Sequence, residues 1–351
     1  MLKIAISTPP QAGQRWTLMK QCGVEYAVGG ISLRPKPDAE PDEQPWSYAS
    51  LAKAKAAYES GGIPLAVIES RPPMEKIKLG LPCRDEQIEV ICEFLRNMGK
   101  LEIPTWCYAW MPILGVIRTS RSISTRGGAH VSGFDHDVLQ AEGESSERPI
   151  RNIDGVPLDE QSVGDVSVTE EQQWGCLKYF LERVIPVAEE ANVKLAMHPD
   201  DPPLSPIRGI ARIMSSIENY QKLVDLVPSP MNGIGLCQGN FTLMTDDLPS
   251  VIRHFGEQKK IHFLHIRDVQ GKPEKFEEAF HDDGQTDLVE CLRAYRDVGF
   301  DGVCRPDHYP KMGDENFNDE HGIARLFAVG YLKGLREAVY AERRYRRRPT
   351  K

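Results

Sequence analysis

The chain has 351 residues, 40% of them hydrophobic and 27% charged, and a formal net charge of −8. This balance describes an ordinary folded globular protein, speaks against a general nucleic-acid binder, and leaves no apolar run near the roughly 18 residues that a membrane span needs. Eight cysteines with no CxxC pair and no dense spacing exclude a disulfide framework and a zinc knuckle.

The opening "MLKIAIST" leads into a strand pattern over residues 3–8 rather than into a signal peptide, which implies a cytoplasmic protein. Further short apolar runs follow at 24–32, 64–70 and 103–112. A helical stripe of Ile88, Ile91, Leu95 and Met98 precedes the last of these. Residues 113–168 break the rhythm: they are too long for an ordinary connection and suit a lid. The early part of this insertion carries Arg118, Arg121, Arg126 and His130 among glycines and serines, a composition suited to closing over an anion, while "AEGESSERP" reads as solvated surface. A second stripe, Trp174, Leu177, Leu181, Val184 and Ala188, leads to strands at 193–198, 233–239 and 261–269. Leu288, Leu292, Tyr295 and Val298 form a third stripe before the last strand, at 301–308. Eight strands alternating with helices predict an α/β fold, a closed (β/α)8 TIM barrel with a long insertion after the fourth strand. One domain over residues 1–342 and a basic tail over 343–351 complete the expected organisation.

In such a barrel the active site is built at the carboxyl ends of the strands. The fifth strand ends at His198, the sixth carries Cys237, the seventh carries His265 and Arg267, and the eighth ends with Arg305, Asp307 and His308. Four neighbouring strands therefore present His, Cys, His and Asp at similar depth, all of them ligand types for a divalent metal. Strand alternation in "FLHIRD" puts Phe263, His265 and Arg267 on one face and His262 on the other, which selects His265. Thiolate and imidazole favour Zn2+, whereas the carboxylate equally accepts Mn2+ or Fe2+.

The segments "IESRPPMEKIKLG" (68–80), "CYAWMP" (107–112), "MHPDDPP" (197–203), the Cys237 region, "LHIRDV" (264–269), "FEEAFHDDGQTDL" (276–288), "RPDH" (305–308) and "GYLKGL" (330–335) run in order along nearly the whole chain. In these segments the sequence resembles the D-mannonate dehydratases, metal-dependent lyases of the xylose isomerase-like barrel superfamily. The resemblance implies an Mn2+-type ion held by His198, Cys237, His265 and Asp307. It also implies conversion of D-mannonate to 2-keto-3-deoxy-D-gluconate, a step of hexuronate breakdown.

That chemistry assigns expected roles to the remaining polar residues. Removing a proton alpha to a carboxylate needs a base, and expelling a hydroxyl needs an acid. His308 is the candidate for acid–base work. The family pairs this histidine with a tyrosine in the segment that follows; here His321, Gly322 and Ile323 stand near that place, and His321 becomes the second candidate. Arg267, Arg305, Asp200, Asp201, Arg118 and His281 are expected around the sugar acid, the two aspartates either touching substrate hydroxyls or orienting His198. Three alternatives stay open: an aldose–ketose isomerase or epimerase, a dehydratase of another aldonate, and a sugar-acid sensor without catalysis. A homo-oligomer, with a dimer as the commonest case, is the expected assembly.

Overall fold

A computed structural model describes residues 1–141, 168–313 and 322–346. The central strands are β1 (Lys3–Thr8), β2 (Tyr26–Gly29), β3 (Leu65–Ile68), β4 (Thr105–Ala109), β7 (Lys194–His198), β8 (Asn232–Cys237), β9 (Ile261–Ile266) and β12 (Val303–Pro306). They close in the order β1-β12-β9-β8-β7-β4-β3-β2, with every neighbouring pair parallel. The expected (β/α)8 barrel is present, and its strands fall inside the eight apolar runs except at Asn232, one residue before the sixth.

The helical stripes are core. Ile88, Ile91, Leu95 and Met98 are buried on the helix Arg84–Lys100, and Trp174, Leu177, Leu181, Val184 and Ala188 are buried on Glu170–Ala191. The second helix starts cleanly because Thr169 accepts from Gln172 N–H while the Gln172 side chain reaches back, a reciprocal cap. The alternation is not strict, since two helices follow β3 (Glu75–Leu79 and Arg84–Lys100) and two follow β8 (Gln238–Met244 and Leu248–Glu257). The last helix runs from Ile323 to Arg346, through the start of the expected tail. Inside the barrel, Ala5, Val28, Ala66, Val67, Cys107 and Ala196 surround Phe263, so small side chains leave room for one large ring. Among the described residues no helix is long and apolar enough to cross a membrane.

The insertion differs from the expected plain loop. Its first part forms β5 (Ser120–Ser124), β6 (His130–Asp135) and the short helix His136–Ala141. Two more strands, β10 (Val269–Lys272) and β11 (Lys275–Glu278), come from the connection after β9 and complete an antiparallel sheet in the order β10-β11-β6-β5. Phe276 pairs with Phe134 across this sheet, and both join Ile113, Leu114, Ile207, Leu243 and Val269 in a separate apolar cluster. The sheet therefore has its own core and sits over the mouth beside β7 and β9. The "AEGESSERP" stretch lies outside the described residues.

His262 faces away from the barrel interior, as its alternation requires. It is buried, its Nδ1 lies 2.7 Å from the Leu195 carbonyl, and burial lowers its pKa from 6.5 to about 4. Because the folded state favours the neutral ring, this contribution to stability is complete above pH 6.5 and is lost as pH falls toward 4. Replacing His262 with Gln should flatten the decline of unfolding free energy across that window. A Cβ at Gly233 would overlap the His262 ring. Gly233→Ala should accordingly lower stability by about 1–3 kcal/mol in urea unfolding.

Candidate active site

Parallel register brings the strand ends to one level. His265 of β9 pairs with Cys237 of β8 on one side and with Arg305 of β12 on the other, and His198 ends β7 beside them. Phe263, one pleat below, packs edge-on to His265 with ring centroids 5.0 Å apart and forms the floor. One donor atom from each of His198, Cys237, His265 and Asp307 lies within 4.8 Å of all the others.

The outward nitrogens of the two histidines are spoken for. Nδ1 of His198 is 2.8 Å from the Pro199 carbonyl, and Nε2 of His265 bonds Glu69. Both partners accept only, so both outward nitrogens carry protons. The inward atoms, Nε2 of His198 and Nδ1 of His265, are 3.2 Å apart, and the latter is 3.2 Å from Oδ2 of Asp307. Burial and Arg305 depress the His265 pKa, but Glu69 and Asp307 outweigh them and raise it well above its usual value. Burial alone would push the Cys237 thiol up; the Arg267 guanidinium and hydrogen bonds from His198 and His265 bring it down to about 5, so it is a thiolate at neutral pH.

Charge provides a test of whether a cation belongs here. The anionic groups are the Cys237 thiolate, Glu69, Asp201, Glu278 and Asp307; the guanidiniums among them are Arg118, Arg267 and Arg305. Two negative charges are in excess with the imidazoles neutral, the form that ligates a metal; without an ion, the raised pKa of His265 supplies part of the compensation as a proton, which a divalent ion would displace. Lone pairs, thiolate and carboxylate converging on one point fit a divalent ion. A second grouping, Glu69, Cys107 and His265, shares His265. Burial raises the Cys107 pKa well above its usual value, so that sulfur stays a thiol and fits a metal less well.

The expected substrate residues separate into two sets. Arg305 and His308 are at the mouth and partly exposed, at 12% and 26%. Nε of Arg305 is 2.9 Å from Oε2 of Glu69, and its Nη1 donates to Asp307 at 2.8 Å. Nδ1 of His308 is 3.1 Å from Oε1 of Glu278, and its Nε2 is 3.6 Å from Oδ2 of Asp307.

The other set is buried and bonded within the protein. Arg267 donates to both oxygens of Glu278 at 2.7 and 2.8 Å, to Asp201 at 2.9 Å and to Asn240 at 2.8 Å. It also lies 3.6 Å from the Cys237 sulfur, so its charge acts directly on the thiolate. Arg118, expected to close over an anion, makes a bidentate pair with Asp201 at 2.7 and 2.8 Å and donates to Glu278 at 2.6 Å. Asp200 accepts from Met214 N–H at 2.8 Å and has Nε of Arg212 at 3.6 Å. His281 sits 2.9 Å from the Ile266 carbonyl, and burial holds its pKa near 4. These contacts engage most polar atoms of the five residues within the protein, although Nε of Arg118 and Oδ1 of Asp200 have no hydrogen-bond partner. His321 lies outside the described residues.

Two acidic residues were not anticipated. Glu69 follows β3 by one residue, and the strand-end rule that selected the other donors also points to it. Glu278 arrives on β11, a strand the sequence did not reveal.

Removing one member of the buried network should be costly. Arg118→Ala leaves Asp201 and Glu278 with one guanidinium between them, and urea unfolding should show a loss of about 3–5 kcal/mol. A loss under about 1 kcal/mol would mean that solvent already screens this network.

The chain was compared with known proteins. A family model described as D-mannonate dehydratase (UxuA) matches residues 15–346. The mannonate dehydratase of Thermotoga neapolitana is 36% identical over 335 residues, covering 90% of this chain and 91% of its own. Mannonate dehydratase 2 of Halalkalibacterium halodurans is 36% identical over 325 residues, covering 90% of each. A crystal structure of mannonate dehydratase from Streptococcus suis serotype 2 superposes with a TM-score of 0.84 at 27% identity, over 97% of this chain and 96% of that one. A D-psicose 3-epimerase from Clostridium cellulolyticum H10, with a TM-score of 0.59 and 16% identity over 96% of this chain and 99% of that one, shares the fold alone. By the family model and by these relatives, the chain belongs to the D-mannonate dehydratase family.

Proposed function

We propose that this protein removes water from D-mannonate to give 2-keto-3-deoxy-D-gluconate, with His198, Cys237, His265 and Asp307 holding a divalent ion and His308 moving protons. The observation that carries this reading is the convergent donor set with its excess of two negative charges, placed at the barrel mouth. Family membership supports the substrate.

The reaction takes the proton from C2, expels the hydroxyl from C3 as water, and lets the resulting enol become the 2-keto group. The C2 proton is weakly acidic because the neighbouring carboxylate is already charged. When bound, the ion supplies Lewis-acid polarisation of the substrate's carboxylate and 2-hydroxyl. Arg305, beside Asp307 at the mouth, offers its guanidinium edge to the same oxygens. His308 is placed to exchange a proton through Nε2, the nitrogen not engaged by Glu278. His321 is the proposed partner for the second proton transfer. Buried Arg267 and Arg118 keep Asp201 and Glu278 ionised and hold the rim in shape.

An isomerase or epimerase reading predicts mainly carboxylate ligands, and the Cys237 thiolate with two imidazoles fits it less well. The proposed resident ion is Mn2+, which suits the carboxylate and an oxygen-rich substrate; Zn2+ and Fe2+ suit the sulfur and nitrogen donors, and elemental analysis separates them. A cytoplasmic homodimer is the proposed assembly, and sedimentation measures it.

Mn2+-loaded protein should form a 2-keto-3-deoxy acid from D-mannonate and less or none from other aldonates. No turnover on any aldonate, with metal bound, would sink the dehydratase reading. Cys237→Ser should lose bound metal, and an unchanged content would remove Cys237 from the donor set. His308→Asn should keep its metal and lose about 10²–10⁴ in kcat.

A further inference from the structure

One carboxylate of the network belongs neither to the donor cluster nor to the barrel. Glu278 ends β11 of the small sheet and is 4% exposed. Its Oε1 accepts from Arg118 at 2.6 Å and from Arg267 at 2.8 Å, and its Oε2 accepts from Arg267 at 2.7 Å. The same Oε1 lies 3.1 Å from Nδ1 of His308. Burial favours the neutral acid, but the guanidiniums and His308 hold Glu278 at about 2, so it is an acceptor that cannot donate. The proton in this contact is therefore the imidazole's, on Nδ1. On the other side of the ring Nε2 is 3.6 Å from Oδ2 of Asp307, which aims it at the donor cluster.

His308 needs such a hold. Its backbone is left-handed, with φ of +46°, a conformation that non-glycine residues seldom adopt, and its side chain is partly exposed. Among the described residues its ion-pair partners are Glu278 and Asp307. We infer that Glu278 is the positioning residue of His308, binding the Nδ1 proton so that Nε2 is oriented for proton exchange at the substrate. The inference rests on the acid–base role proposed above for His308. It makes the small sheet part of the catalytic apparatus: β11 brings the carboxylate, and Arg118 of the insertion keeps it charged.

The competing account is that Glu278 only neutralises Arg118 and Arg267. Two measurements separate the accounts. Histidine-selective ¹⁵N NMR of the Zn2+-loaded wild-type protein, with ring 308 identified by its loss in His308→Asn, should show the proton on Nδ1 in a hydrogen bond. A ring protonated on Nε2 alone overturns the inference, and this readout needs neither turnover nor a folded Glu278 variant. Steady-state kinetics of Glu278→Gln on D-mannonate should show kcat lower by at least about tenfold, KM within about threefold, and bound metal unchanged. In the His308→Asn background the same change should cost nothing further, because a residue that acts through His308 has nothing left to position. Equal losses in both backgrounds overturn the inference and leave His308 standing. Full activity of His308→Asn removes the acid–base role itself, and the inference with it.

Discussion

The mouth of the barrel carries more negative charge than its arginines neutralise, and most of the local structure answers to that constraint. Charges taken out of water are tolerated only when paired and hydrogen-bonded. Here the pairing is divided between two groups. Arg118 and Arg267, the more fully buried, neutralise Asp201 and Glu278, whereas Arg305 bridges Glu69 to Asp307. What the arginines leave uncompensated lies around the inward atoms of His198, Cys237, His265 and Asp307, where a divalent ion would restore balance.

Barrel closure makes that division reproducible. Register fixes Cys237, His265 and Arg305 at one height, so the spacing of donors is set by the hydrogen-bond ladder rather than by flexible side chains. Small interior residues, Ala5, Ala196 and Cys107, leave room for Phe263, whose ring closes the space beneath His265. Donors placed at strand ends over an apolar floor would hold an ion at the barrel mouth, where a substrate could reach it.

The barrel was legible because its signals are local: each apolar run carries its own strand of four to six residues, and each stripe its own helix. The donors were legible for a related reason, since each stands at the end of such a run. Glu69 satisfies the same rule at β3, but a search confined to the last four strands passes over it. The small sheet was not legible. Ser120–Ser124 and Val269–Lys272 are short and mostly polar, each pairs with the next strand of its own hairpin, and the two hairpins join into one sheet only through β6 and β11, which are far apart in the chain. Without that sheet nothing in the sequence tells that Arg118 faces Asp201 and Glu278 rather than an anion from solvent, or that Arg267 lies against the thiolate.

Barrel and sheet differ in what they can hold. A strand-end ligand such as His265 is fixed by regular extended backbone, whereas His308 lies beyond β12 in a left-handed conformation that costs about 1–3 kcal/mol for a non-glycine residue. Strain of that kind persists only where the surroundings over-determine it. For His308 those surroundings are two carboxylates, Asp307 from the barrel and Glu278 from the sheet, at the two nitrogens of one ring. Glu278 in turn stays charged because Arg267 of the barrel and Arg118 of the insertion face it, and Arg118 is held by Asp201 in the loop that follows β7. The sheet is thus bound to the mouth through a closed circuit of ion pairs passing beside the donor cluster. Shifting it would unpair charges in the barrel and release His308 together, which couples the insertion to the site by electrostatics as well as by cover.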